Sequence, residues 1–217
     1  MERPTHAEID RVLNIIVKEE SLTMLGKMGV KYDPFKVLIS TILSARAKDE
    51  VTEVVAEKLF EKYDTAEKLA RADKKDVIRI IKRIGFYNMK SKNIINTAKM
   101  LLEKFDGKVP DTLEQLTELP GVGRKVANCV LVYAYKQDAI PVDTHVHRIS
   151  NRLGWVKTKK PEETEQALEK ILPKKHWQAI NDALVTHGKT ICVPISPFCS
   201  KCPIYSHCKR KGVKTSR

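Results

Sequence analysis

Residues 119–145, LPGVGRKVANCVLVYAYKQDAIPVDTH, constrain the fold more than any other stretch of the 217-residue chain. Leu119-Pro120-Gly121-Val122-Gly123 reads as a turn, because proline fixes φ and removes a donor. Two glycines one residue apart permit φ > 0 and let another backbone come close. Val122, Val126, Val130 and Tyr133 then recur at three- and four-residue spacing, which predicts a helix with one apolar face. The amides of Val122 to Arg124 are expected to be orphan donors at the positive end of that helix, and such an end binds phosphate.

Lys125 falls in the first turn of the helix, off its apolar stripe. The helix dipole and neighbouring Arg124 both disfavour the protonated amine there, and a lysine in that setting can act as a nucleophile. After a connection through Lys136 to Pro141 the chain presents Asp143-Thr144-His145, so a carboxylate returns soon after the lysine and the pair is expected to share one cleft. An amine beside a carboxylate suits imine chemistry at a sugar C1′: the amine attacks, and the carboxylate offsets developing positive charge or relays protons. Each residue also has a plainer reading. Lys125 would be a phosphate contact, and Asp143 the cap of a helix carrying Val146, Ile149 and Leu153.

An apolar content of 42% suffices for a buried core, and the chain is long enough for one large domain or two small ones. The net charge of +13 points to an anionic polymer or surface, and after Asp182 there are seven Lys or Arg and no acidic residue. No apolar run reaches membrane-spanning length, and MERPTHAEIDRVLN holds no signal-peptide core, so an intracellular, non-membrane protein is expected. In a reducing compartment five cysteines favour metal ligation over a disulfide framework.

In chain order, Ile9, Val12, Leu13 and Ile16 predict a first amphipathic helix over residues 7–19, broken by Gly26 and Gly29. Asp33-Pro34 opens a strongly apolar second helix ending at Leu43-Ser44-Ala45-Arg46-Ala47, and Val51, Val54, Val55, Leu59 and Phe60 mark a third. Thr65 and Asp73 read as N-caps, with Asp76 completing a capping box. Ile84-Gly85-Phe86-Tyr87-Asn88 leads into a long helix closed by Asp106-Gly107. Phe86 at that turn reads either as a packing residue or as a wedge for a base stack, and packing is the favoured reading from the residues alone. Later helices are expected over residues 161–171 and 177–191. No segment reads as a strand, so the fold class is all-α, with about ten helices and short loops.

The last segment holds Cys192, Cys199, Cys202 and Cys208 in a C-x6-C-x2-C-x5-C pattern. Four thiolates hold either a tetrahedral zinc or a cubane iron-sulfur cluster, and spacing alone leaves both open. Lys201, Lys209, Arg210 and Lys211 surround the ligands, so a metal-ordered loop would turn a basic edge toward phosphate. Cys129 reads as a small buried hydrophobe, and His145 and His147, on different helix faces, as packed or capping residues.

Taken together, LPGVGRKVAN, VDTHVHRISNR, IGFYNMKSKNI and the four-cysteine loop resemble, in order and over nearly the whole chain, the endonuclease III family of iron-sulfur helix-hairpin-helix DNA glycosylases. The resemblance implies two helical lobes. One is a six-helix lobe at 27–135 carrying the hairpin; the other joins 1–26 to 136–217 and holds a [4Fe-4S] cluster in loop 192–208. It implies a monomer acting on double-stranded DNA with oxidised pyrimidine or abasic sites, bound across the groove between the lobes. Lys125 would attack C1′ of a flipped nucleotide with help from Asp143, and the imine would nick the strand by β-elimination. Gly121, Val122, Gly123, Arg124, Arg46, Phe86 and His145 are the implied DNA contacts. In the resemblance, thymine-mismatch enzymes carry Tyr at the lysine position and adenine-removing ones carry Ser and a longer C-terminal part, so Lys125 favours the bifunctional branch. Two residues depart from the pattern: Arg46 stands where Gln is common and Phe86 where Leu is. The competing readings are a monofunctional mismatch or oxidised-purine glycosylase, and a non-enzymatic helix-hairpin-helix DNA-binding module.

Overall fold

The computed structural model describes residues 4–17 and 33–217, and among these every regular element is helical. Local signals account for most boundaries. Helix α1 (His6–Ile16) starts at a full capping box between Thr5 and Glu8. Helix α2 (Pro34–Ser44) has Pro at its start and Asp33 accepting from the Lys36 amide at 3.0 Å. Helix α3 (Asp49–Lys62) is followed by the short α4 (Ala66–Ala70) and by α5 (Lys74–Ile81), which Thr65 and Asp73 cap as the sequence predicts. Asp76 does not close a capping box. It accepts instead from Lys62 and the Tyr63 hydroxyl, each at 2.6 Å, and from Arg79; these bonds, Lys62 first, hold its carboxyl well below the usual carboxylate range.

Helix α6 (Tyr87–Lys104) ends where Asp106 and Gly107 both take positive φ and the Gly107 amide returns to the Leu101 carbonyl, closing the last turn. Helix α7 (Leu113–Glu118) and helix α8 (Arg124–Tyr135) follow, joined by the Pro-Gly-Val-Gly turn. The chain continues as α9 (Thr144–Leu153), α10 (Pro161–Glu169), a 3-10 turn at Lys174–His176, α11 (Ile180–Thr190), and two further 3-10 turns at Cys199–Lys201 and Tyr205–His207. The last long helix thus begins at Ile180 rather than at Trp177, because the 3-10 turn occupies the start of that segment. Helix α1 stops at Ile16, with Val17 already extended, short of the predicted end at residue 19; residues 18 and 19 and the breaks at Gly26 and Gly29 lie outside the described residues.

Two compact units result, one made of the N-terminal helix with Asp138–Arg217, the other running to Gln137. In the second, α8 is buried almost all round, from Val126 through Tyr133, and packs on α2, whose Leu38, Ile39 and Leu43 are fully buried. Burying each such branched side chain contributes about 1.5–3 kcal/mol, so this helix pair anchors the hairpin that precedes α8. Val54 departs from its predicted apolar face: it is exposed on α3 while Val55 is buried. In the first unit, Ile9 and Leu13 of α1 pack with Val146, Ile149 and Leu153 of α9 and with Leu184 of α11, and Cys192, Cys202 and Cys208 rest against the same core. No described helix is long and apolar enough to cross a membrane.

Candidate functional site

The hairpin before α8 is held from beneath by α6. Thr97 Oγ1 donates to the Pro120 carbonyl at 2.9 Å, and Gly121 sits at φ 83 so close to α6 that a Cβ would fall 2.5 Å from Asn93 Nδ2. Glycine is required here twice over, by the left-handed backbone and by the close approach. Gly123 does not use that freedom. Its φ of −91 suits any residue, and a Cβ there would meet no described atom within 4 Å. What its missing side chain leaves is open space in front of the α8 N-terminus, which also has no side-chain cap. Val122 is not an orphan donor either, because its amide bonds the Leu119 carbonyl at 3.0 Å and its side chain is buried. Arg124 is exposed and Lys125 half-buried in the first turn. A positive helix end with open approach suits an anion.

In the same unit, Arg46 and Phe86 meet. The Arg46 guanidinium lies 6.0 Å from the Phe86 ring centroid, and both residues hold left-handed backbone, at φ 56 and φ 60. Phe86 is 57% exposed, so the core-packing reading of this residue is overturned. Gly85 permits no positive φ on its neighbour's behalf; the left-handed step falls on Phe86 itself, the N-cap of α6. Non-glycine residues held left-handed cost of order 1 kcal/mol or more each, and such strain clusters where side chains must be aimed.

In the other unit, Asp143 is the N-cap of α9. Its Oδ1 accepts from the amides of His145 and Val146, both at 2.8 Å, which leaves Oδ2 outside the cap. Capping and chemistry are therefore compatible in this carboxylate. Buried Val142 and the Pro141 carbonyl, which accepts from Asn181 Nδ2 at 2.9 Å, fix the approach to it. His145 is half-buried and its pKa is lowered by burial; its Nδ1 lies 3.1 Å from Arg148 Nη2, and α11 passes so close that a Cβ on Gly188 would sit 2.4 Å from Nδ1. His147 instead bonds Thr164 Oγ1 at 2.6 Å, so the two histidines do face different neighbours.

Cys192, Cys199, Cys202 and Cys208 are all free thiols and line one partly open pocket, whose walls include Ile149, Leu153, Phe198 and Ile204. Among the described residues no three His, Cys, Asp or Glu converge on a point fit for a single metal ion. Four thiolates lining one cavity are a donor set for either a zinc or a polynuclear iron-sulfur cluster. Burial pushes the Cys202 and Cys208 thiols up, a cost that ligation to cations reverses. Two arginines organise the loop that carries them. Arg148 donates to the Cys192 carbonyl at 2.9 Å, and buried Arg152 donates to Cys192 Sγ at 3.3 Å and to the carbonyls of Val193 at 2.8 Å and Pro194 at 2.6 Å. Sequence reasoning assigned no role to either, although arginines four apart on the helix bearing Asp143 were a signal that one face of it met a polar loop. Cys129 is fully buried on α8.

Residues 39–174 match the family model described as HhH-GPD superfamily base excision DNA repair protein. The chain is 53% identical to an endonuclease III of Thermotoga maritima over 83% of its own length and 86% of the relative's. It is 38% identical to an endonuclease III of Bacillus subtilis, covering 95% of this chain and 97% of the relative. Among solved structures, a trapped endonuclease III–DNA covalent intermediate in an estranged-adenine complex superposes with a TM-score of 0.82 at 34% identity, over 95% of this chain and 97% of the other.

Proposed function

The chain belongs to the endonuclease III family of HhH-GPD base excision DNA repair proteins, DNA glycosylases with AP lyase activity, and on that premise we propose that it removes oxidised pyrimidines from double-stranded DNA and nicks the resulting abasic sites, with Lys125 as nucleophile. The observation that carries the assignment of Lys125 is its place in the first turn of α8, behind an open, side-chain-free approach at Gly123. The Lys125 amine attacks C1′ of the flipped nucleotide as the damaged base departs, giving an imine; loss of a C2′ proton then breaks the C3′–O bond and cuts the strand. Asp143 offsets the positive charge that develops at the sugar and moves protons through the oxygen left outside its cap. The helix end at Gly121 to Arg124 takes the backbone phosphate, His145 adds a contact, and Arg46 with Phe86 fills the space that the flipped nucleotide leaves.

The four cysteines fit a [4Fe-4S] cluster through their number, softness and spacing around one cavity. Bound there, the cluster cross-links a loop that has little core of its own, so that exposed Lys201, Lys209, Arg210 and Lys211 form a fixed basic edge for DNA. We read the protein as an intracellular monomer.

A duplex panel carrying an oxidised pyrimidine, an oxidised purine, a mismatch or an abasic site tests this reading. The expected result is cutting at the oxidised pyrimidine and the abasic site with a 3′ unsaturated aldehyde end. Base release without cutting would assign the monofunctional activity instead.

A further inference from the structure

Lys90 is the one lysine buried among the described residues, 3% exposed, in the first turn of α6. Burial alone pushes its ammonium down to about 8. A methionine of similar length would fill the space without that desolvation, so the amine is retained at a cost in stability. Its bonds show what it does. The Lys90 amide donates to the Phe86 carbonyl at 3.0 Å, and Lys90 Nζ donates at 2.8 Å to the carbonyl of Leu43, in the last turn of α2. One residue therefore ties the left-handed turn at Phe86 to the helix end from which the left-handed turn at Arg46 springs. A cation at the C-terminus of α2 also meets the negative end of that helix. The two turns lie in contact, since a Cβ on Gly85 would sit 4.0 Å from the Arg46 carbonyl oxygen. Beyond the strut, Phe86, Tyr87 and Met89 are exposed, so the turn is braced from inside and bare outside.

We propose that Lys90 is a positioning residue that locks the Arg46 and Phe86 turns together, so that both side chains enter the space of a displaced nucleotide as one unit. The proposal rests on the function given above for that pair. It touches neither substrate nor reacting atoms, and it acts on base extraction, not on imine chemistry.

The test uses the full chain with Lys90→Met, and with Lys90→Gln as a second neutral variant too short for the same reach. Amide hydrogen exchange at residues 44–48 and 84–88 should accelerate about tenfold in both turns, while the 119–123 hairpin keeps its protection. In single-turnover assays, release of a paired oxidised pyrimidine should fall about tenfold and cutting at an abasic site, which has no base to extract, less than about threefold. In an Arg46→Ala/Phe86→Ala background the same change should add less than about twofold, because the residues it positions are gone. Unaltered exchange at both turns, equal losses on the two substrates, or a full effect persisting in the double background would overturn the proposal. A wild-type chain that cuts neither substrate would sink the proposed function, and the exchange result would then decide the strut by itself.

Discussion

The hairpin at residues 119–123 and the cysteine loop at residues 192–208 meet the same demand, presenting polar groups on irregular backbone, by opposite means. The hairpin borrows its rigidity from hydrocarbon: Leu119 and Val122 are buried, α8 is buried nearly all round, and α6 supplies a single hydroxyl bond to the Pro120 carbonyl. The cysteine loop has only short 3-10 turns, and its Cys192, Val193 and Pro194 carbonyls are satisfied by Arg148 and Arg152 reaching from α9. Core packing tolerates small losses by relaxing. A loop tied by a few charged bonds does not, because each lost partner leaves a polar group unsatisfied. The two regions should therefore fail differently.

The largest effect should come from Arg152→Met. It deprives the Val193 and Pro194 carbonyls and Cys192 Sγ of a buried partner, and about 3 kcal/mol of stability should go with it, read as a lower denaturation midpoint of the full protein. A midpoint unchanged from wild type would mean that the loop is not organised from α9.

Within the hairpin, the two glycines separate stability from access. Gly121→Ala meets both a φ of 83 and Asn93 Nδ2 at 2.5 Å, so about 2 kcal/mol of stability should be lost. Gly123→Ala meets neither obstacle and should stay within about 0.5 kcal/mol of wild type, yet weaken duplex binding by placing a methyl group before the helix end. Thermal melts and DNA titrations on the pair decide it, and equal melting losses would remove the distinction.

Asp143→Asn retains the cap and Asp143→Ala does not, so the alanine variant should be about 1 kcal/mol less stable while both lose turnover on abasic DNA. Full turnover in the asparagine variant would reduce Asp143 to its cap.

A further effect depends on pH. The folded pKa of Lys90, about 8, lies below its usual 10.5, so between these values the unfolded chain binds more protons and stability rises with pH. The wild type should therefore gain stability relative to Lys90→Met from about pH 8 to pH 10 in paired denaturation curves. A constant difference would mean that the amine is not desolvated.

What the sequence makes legible is local. Asp33, Thr65 and Asp73 cap their helices, and Asp106-Gly107 ends α6, because each signal acts within a few residues of itself. The cysteine cluster is legible for another reason: four soft ligands in a short segment have few other uses. What escapes is set by segments far apart in the chain. Asp76 is drawn to Lys62 and Tyr63 instead of its own helix end, Lys90 reaches back 47 residues, and Arg152 reaches forward more than 40. Phe86 is not legible from the residues alone, because an apolar residue beside a glycine turn usually packs inward, whereas here it is exposed on left-handed backbone. Gly123 shows the converse, a glycine used for the space it leaves and not for its φ.

Borohydride trapping on an abasic-site duplex tests the central claim, that the hairpin presents a nucleophilic amine at the start of α8. The wild type should form a covalent protein–DNA adduct that survives denaturation, and Lys125→Gln should form none while still binding the duplex within about threefold, since it loses one phosphate-range charge of many. An adduct of undiminished yield in Lys125→Gln would assign the chemistry to another amine and contradict the account.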